Sequence, residues 1–283
     1  MGYTAKALAA RLRGAGWAIR ATGRDGDLDF ADRAGVVSAL AGSSHVLSSV
    51  PPIPAGGDPV LEIYAAGLRG KWLGYLSSTG VYGDTGGAWV DESAALVGFG
   101  GNGRRTARAD ADRAWQVAGA HVFRLPGIYG PGRSPLDRVA NGAAHRIDLP
   151  RQVFSRVQVE DIVSGVIAGF AGPAEVYNLA DDLPASQNAV IDEACRLLGR
   201  APPPLLSLER ANLSPMARAF YAENRRVANG KAKRVLGWKP AWPSYVEGLR
   251  GLASGRAAPR ARSATISPAS ASAPPPAASS VQR

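Results

Sequence analysis

The sequence has few of the residues that hold metals and disulfides. One cysteine, Cys195, stands among 283 residues, so an intrachain disulfide or a thiolate cluster is excluded. The three histidines, His45, His121 and His145, lie far apart and make no ligand spacing; a metal-free protein is expected. No apolar run reaches the roughly 20 residues that a bilayer-spanning helix needs. The opening MGYTAKALAARLRGAG lacks the continuous apolar core of a secretory leader. These absences point to a cytoplasmic protein. Acids are missing from Gly251 to the end, where Arg256, Arg260, Arg262 and Arg283 supply +4 of the net +10. The other arginines are scattered among alanines, and no aromatic–basic cluster of an RNA-binding sort appears, so the charge reads as a solvated surface and not as a nucleic-acid patch.

What is present is alternation. Helical patterns run over Thr4–Arg13, Pro59–Leu68, Thr106–Ala118, Val159–Phe170 and Gln187–Leu198, most of them stopped by glycine. Between them lie short strand-like runs: Trp17–Thr22, His45–Val50, Trp72–Ser77, His121–Leu125 and Glu175–Leu179. Strands separated by helices imply parallel pairing and a doubly wound α/β sheet. Between Arg24 and Ala41 there is room for one element and hardly two, so this crossover is shortened. Residues 253–283, rich in Ala, Ser, Pro and Arg, bury too little to offset their ordering entropy and are expected to be disordered.

The start of the chain suggests chemistry. A dinucleotide fold opens with a strand, a G-x-G-x-x-G/A turn and a helix whose N-terminus receives the pyrophosphate. Gly2 and Ala5 fit the second and third small positions of that turn, and Tyr3 and Thr4 lie between them. The first glycine and its strand would precede Met1. A chain that truly starts at Met1 is expected to bind cofactor weakly and to be poorly stable. About 20 residues on, where the adenosine ribose is met, stand Arg24 and Asp25. The arginine suits a 2′-phosphate, hence NADP; the aspartate suits a free 2′-hydroxyl, hence NAD. NADP is the expectation and NAD the alternative.

Five further stretches carry a resemblance. Leu76-Ser77-Ser78-Thr79-Gly80-Val81-Tyr82-Gly83, Arg124-Leu125-Pro126-Gly127-Ile128-Tyr129-Gly130-Pro131-Gly132-Arg133, Phe154–Val163, Val176–Leu179 and Lys231–Pro240 are similar, in order and spacing, to segments of the NAD-dependent epimerase/dehydratase family of extended and atypical short-chain dehydrogenase/reductases. The resemblance implies a Rossmann-like sheet, here lacking its first strand. Residues 1–182 would bind NAD(P), with the loop 129–152 contributing to the substrate cleft. A smaller substrate lobe would cover 183–252. The cofactor would meet Gly2, Tyr3, Thr4, Arg24, Ser49, Val50, Thr79, Pro126 and Ile128. The implied reaction is hydride transfer to or from an unidentified small substrate, a sugar nucleotide being one candidate, and a homodimer is one expected assembly.

The family's proton chemistry uses a serine and a Tyr-x-x-x-Lys pair. Ser78 falls at the serine's place, and Tyr82 is a second catalytic candidate. The Tyr-x-x-x-Lys pair is absent. Arg104 and Arg108 occupy its spacing; arginine stays protonated, so these two, with Arg133, are expected to clamp an anionic substrate or phosphate. Each candidate also has a plain structural reading: Ser78 as a turn-capping serine, Tyr82 as a packing residue, the arginines as solvated charge. The missing pair keeps a non-catalytic dinucleotide-binding or scaffold protein open as the alternative.

Overall fold

The computed structural model describes residues 1–54, 56–97, 104–214, 218 and 221–255, with Arg104 and Arg105 described in their backbone alone. Helices run α1 Tyr3–Arg13, α2 Arg33–Ala41, α3 Pro59–Leu68, α4 Arg104–Val117, α5 Pro135–Ala140, α6 Val159–Ala168, α7 Gln187–Leu198, α8 Gly230–Val235 and α9 Tyr245–Ala253. Strands run β1 His45–Ser48, β2 Trp72–Ser78, β3 Trp89–Val90, β4 His121–Leu125, β5 Gly127–Tyr129, β6 Arg146–Ile147, β7 Arg156–Gln158, β8 Val176–Asn178, β9 Leu205–Leu206 and β10 Arg226–Val227. Local chemistry sets several boundaries. Asp58 accepts from Val60 N and Leu61 N, and Pro59 sits at the first position of α3, where its missing N–H costs nothing. Ser186 caps α7, and Gly199 ends it in the left-handed region.

Four strands form the central parallel sheet, in the order β1-β2-β4-β8. Ser48 lies opposite Tyr75 and Ser78 opposite Leu125. One face of the sheet, carrying Leu76, Phe123, Leu125 and Tyr177, packs on Leu8 and Leu12 of α1 and on Ile162, Val163 and Val166 of α6. The other face, carrying Leu73, Tyr75 and Val122, packs on Val60 and Leu68 of α3 and on Ala111 and Trp115 of α4. Helices on both faces are the doubly wound arrangement expected of crossover-linked parallel strands.

The segment Trp17–Thr22 is not the strand that its composition suggests. It runs extended, and its one pairing is a bridge from Thr22 to Leu28. A strand exists only with a partner, and no described strand lies on the far side of β1. Its polar groups are met locally: Asp27 accepts from Ala21 N, and Ala21 O accepts from Leu28 N. The shortened stretch after Arg24 holds one element, α2.

A second core joins Tyr129, Leu136 and Val139 to Val190 and Ile191 of α7 and Leu249 of α9. Residues from both sides of α6 thus build the lobe beside the sheet. In it Tyr129 packs closely on Gly248, where a Cβ would lie 2.0 Å from the phenolic oxygen. Gly248→Ala is expected to lower stability by about 1–3 kcal/mol through overpacking, measured as a shift in the urea midpoint. An unchanged midpoint would show that α9 is free to move away from Tyr129.

Candidate active site

The carboxyl ends of adjacent parallel strands in a doubly wound sheet form a crevice. Ser49 and Val50 follow β1, Ser78 closes β2 and Pro126 follows β4, so these residues stand side by side at one end of the sheet. The N-terminus of α1 opens onto the loops of this end. Tyr3 donates from its hydroxyl to Pro131 O at 3.0 Å, tying α1 to the loop that follows β5. Gly23 abuts Met1, since a Cβ there would lie 2.8 Å from the Met1 nitrogen, which brings the Arg24 turn to the same place.

The residues fit a dinucleotide phosphate at α1. Gly2 makes no side-chain cap and the first turn has no acid, so the leading N–H groups of α1 carry no carboxylate. A Cβ on Gly2 would meet nothing within 4 Å, leaving open space above the turn. Lys6 pairs with Asp25 at 2.6 Å, and the Lys6 hydrogen bond holds the Asp25 carboxyl below its ordinary range. Arg24 beside it is exposed.

Ser78 Oγ accepts from Gly80 N at 3.1 Å and so caps the short turn Thr79–Tyr82, which leaves the hydroxyl proton for another acceptor. Thr79, Pro126, Gly127, Phe154, Ser155, Glu223, Arg225 and Val227 line a slot of about 50 Å³ next to it. Val50 and Ile128 turn largely toward the two faces of the core.

The other expected site residues go elsewhere. Tyr82 is buried, donating to Asn178 Oδ1 at 2.8 Å and accepting from Arg124 Nη1 at 2.9 Å. Burial pushes its phenol up to about 12, with Arg124 offsetting part of the rise. A hydroxyl so engaged sits in the protein's interior scaffolding, and the catalytic expectation for Tyr82 is dropped. Arg108 donates to Tyr75 OH at 2.8 Å on the α4 face of the sheet. The Arg133 guanidinium lies 5.6 Å from the Tyr3 ring centroid, beside the start of α1 and not in the slot. The Arg104 side chain lies outside the described residues.

Sequence reasoning missed Glu223 and Arg225. They reach the slot from the loop just before β10, more than 140 residues after Ser78. The run Glu223-Asn224-Arg225-Arg226 has no helical or strand periodicity that would aim either side chain; its position just ahead of Lys231–Pro240 was the available signal.

No family profile matches the chain. Among curated proteins, a Streptomyces 3-diazoavenalumate denitrifying reductase is 30% identical over 140 residues, 45% of this chain and 45% of that protein; the matched region is thus under half of either length. A conserved Silicibacter pomeroyi protein of unknown function is 39% identical, with a TM-score of 0.79 over 90% of this chain and 96% of that one. A human epimerase family protein with NADPH shares the fold at 14% identity and a TM-score of 0.68, over 89% of this chain and 96% of that one. A Thermotoga maritima UDP-glucose 4-epimerase with UDP-glucose does so at 15% identity and a TM-score of 0.68, over 89% and 95%.

Proposed function

Since the chain belongs to one family with the conserved Silicibacter pomeroyi protein and has the fold of the epimerase/dehydratase-type short-chain dehydrogenase/reductases, we propose that it is an NADP-dependent oxidoreductase acting on a small substrate at the strand ends. The observation that carries this reading is the meeting of an uncapped α1 N-terminus, the Arg24 turn and Ser78 at one end of a parallel sheet. In this reading Asp25 is occupied by Lys6, so Arg24 is the group left for a 2′-phosphate, and Arg133 stands close enough to Tyr3 to add charge near the pyrophosphate.

When bound, the nicotinamide supplies or accepts a hydride. Ser78, held in place by Gly80 N, directs its proton toward the reacting oxygen. The Thr79–Tyr82 turn and Pro126–Gly127 flank that oxygen, and residues 183–252 close over it as a substrate lobe. The alternative, a dinucleotide-binding protein without turnover, is favoured by one observation: Arg108, at the spacing of the family's lysine, is engaged with Tyr75.

Fluorescence titration with NADPH and NADH tests the reading. NADPH is expected to bind at least about tenfold tighter, and Arg24→Ala to remove that preference, a loss of about 1.4 kcal/mol or more. Binding of neither nucleotide removes the oxidoreductase reading. Equal binding means that the 2′-phosphate is not recognised and returns Arg24 to the surface. NADPH binding with no reduction of any carbonyl or diazo compound tried selects the non-catalytic alternative.

A further inference from the structure

The lining of the slot includes an ion pair. Arg225 Nη1 donates to Glu223 Oε2 at 2.6 Å and to Gly83 O at 2.6 Å. The two side chains are only 17% and 11% exposed. A guanidinium has five N–H donors in a fixed fork. Among the described residues no acceptor meets Arg225 Nε or Nη2, so an edge of the fork is left without a protein partner.

The loop that holds Arg225 is fixed on both sides. Asn224 N donates to Asp84 Oδ1 at 2.9 Å, and Asn224 O accepts from Thr85 N at 3.1 Å and Gly87 N at 2.8 Å. Val227 N donates to Ser155 Oγ at 2.9 Å. Gln152 donates to Glu223 O. A cation anchored in this way loses little freedom when it takes a ligand.

Size and shape restrict the ligand. About 10–15 Å³ of such space suffices for one water, so a slot of about 50 Å³ has room for a group of a few heavy atoms such as a carboxylate. The Nε–Nη2 edge of arginine matches a carboxylate with two parallel hydrogen bonds. We propose that this slot anchors the carboxylate of a small substrate, with Arg225 as its ligand and Glu223 as a built-in competitor for the same cation. The assignment rests on the cleft reading above and names the substrate class for it. Glu223 draws on Nη1 alone, so a second carboxylate shares the guanidinium with it. A free carboxylate therefore binds weakly, and affinity rises when the Glu223 carboxylate is replaced by a neutral side chain.

The test uses benzoate, benzamide and benzyl alcohol as probes, followed by ligand-observed NMR on the full chain with and without NADPH. Benzoate is expected to bind and the two neutral analogues to bind at least about tenfold more weakly. Arg225→Met is expected to abolish the benzoate signal. Glu223→Gln is expected to tighten benzoate binding by about fivefold or more, because a nearby negative charge has gone; this gain requires a folded protein. Benzamide binding as well as benzoate, or Glu223→Gln weakening benzoate, would overturn the proposal. NADPH binding is read separately in the same samples. Cofactor binding without benzoate preference defeats the carboxylate anchor alone, whereas absence of cofactor binding defeats the oxidoreductase reading.

Discussion

Arg124→Met is expected to be among the most destabilising single substitutions in the sheet, by about 3–5 kcal/mol. Arg124 and Asp112 are 2% and 0% exposed in their side chains. Arg124 Nε and Nη2 donate to the two Asp112 oxygens at 3.0 and 2.8 Å. Ser77 Oγ and Gln116 Nε2 also donate to Asp112, at 2.5 and 2.7 Å. Beyond Arg124 the chain of bonds continues through Tyr82 to Asn178, whose Nδ2 donates to Ala228 O at 3.1 Å and whose N donates to Glu92 Oε1 at 2.7 Å. Methionine fills most of the volume and removes the charge, so the loss measures a buried carboxylate left without its cation. Urea unfolding reads it. Asp112→Leu combined with Arg124→Met should recover part of the loss, because both charges then leave together. A single-variant loss under about 1 kcal/mol would mean that water reaches the pair.

This network explains how far the sequence could be read. The helices and strands around it were legible, because their apolar spacing is set by a sheet covered on both faces. Ser78 was legible as a strand-end residue. The role of Tyr82 was not, because a tyrosine in a strand-end loop reads alike whether its hydroxyl meets a substrate or an internal arginine. What separates the two is Arg124, 42 residues away, and Asn178, 96 residues away. Trp17–Thr22 failed for the opposite reason. Its residues suit a strand, but strand formation is decided by a neighbour and not by the segment itself. The pair Glu223–Arg225 was invisible because an irregular loop leaves no periodicity to detect.

Asp181→Asn is expected to stabilise the protein by a gain that grows from about pH 4 to pH 8 and is constant above that. Asp181 is 2% exposed, and neither carboxyl oxygen has a hydrogen-bond partner among the described residues. Arg156, Tyr129 and Tyr245 face it across the junction of sheet and second lobe, and Asp182 adjoins it. The Arg156 guanidinium is already spent on Phe154 O, Ala185 O and Gln187 Oε1, at 3.0, 2.8 and 3.1 Å. Burial therefore dominates and lifts the Asp181 carboxyl to about 8, with the Arg156 charge offsetting part of the rise. The unfolded chain releases this proton near pH 3.9, while the folded chain keeps it to about pH 8. Below pH 4 both states are protonated and the group adds no pH dependence. Between those values the folded state binds the extra proton, so stability falls as pH rises, by up to roughly 5 kcal/mol in all. Above pH 8 both states are ionised and the fall stops. The asparagine variant has no proton to hold. Its urea midpoint should match the parent's near pH 4 and exceed it increasingly from pH 5 to pH 8. Parallel curves across that range would mean that the carboxyl finds a partner when ionised, Arg156 turning away from Ala185 to meet it. That outcome would make the junction a charge pair and not a buried neutral acid.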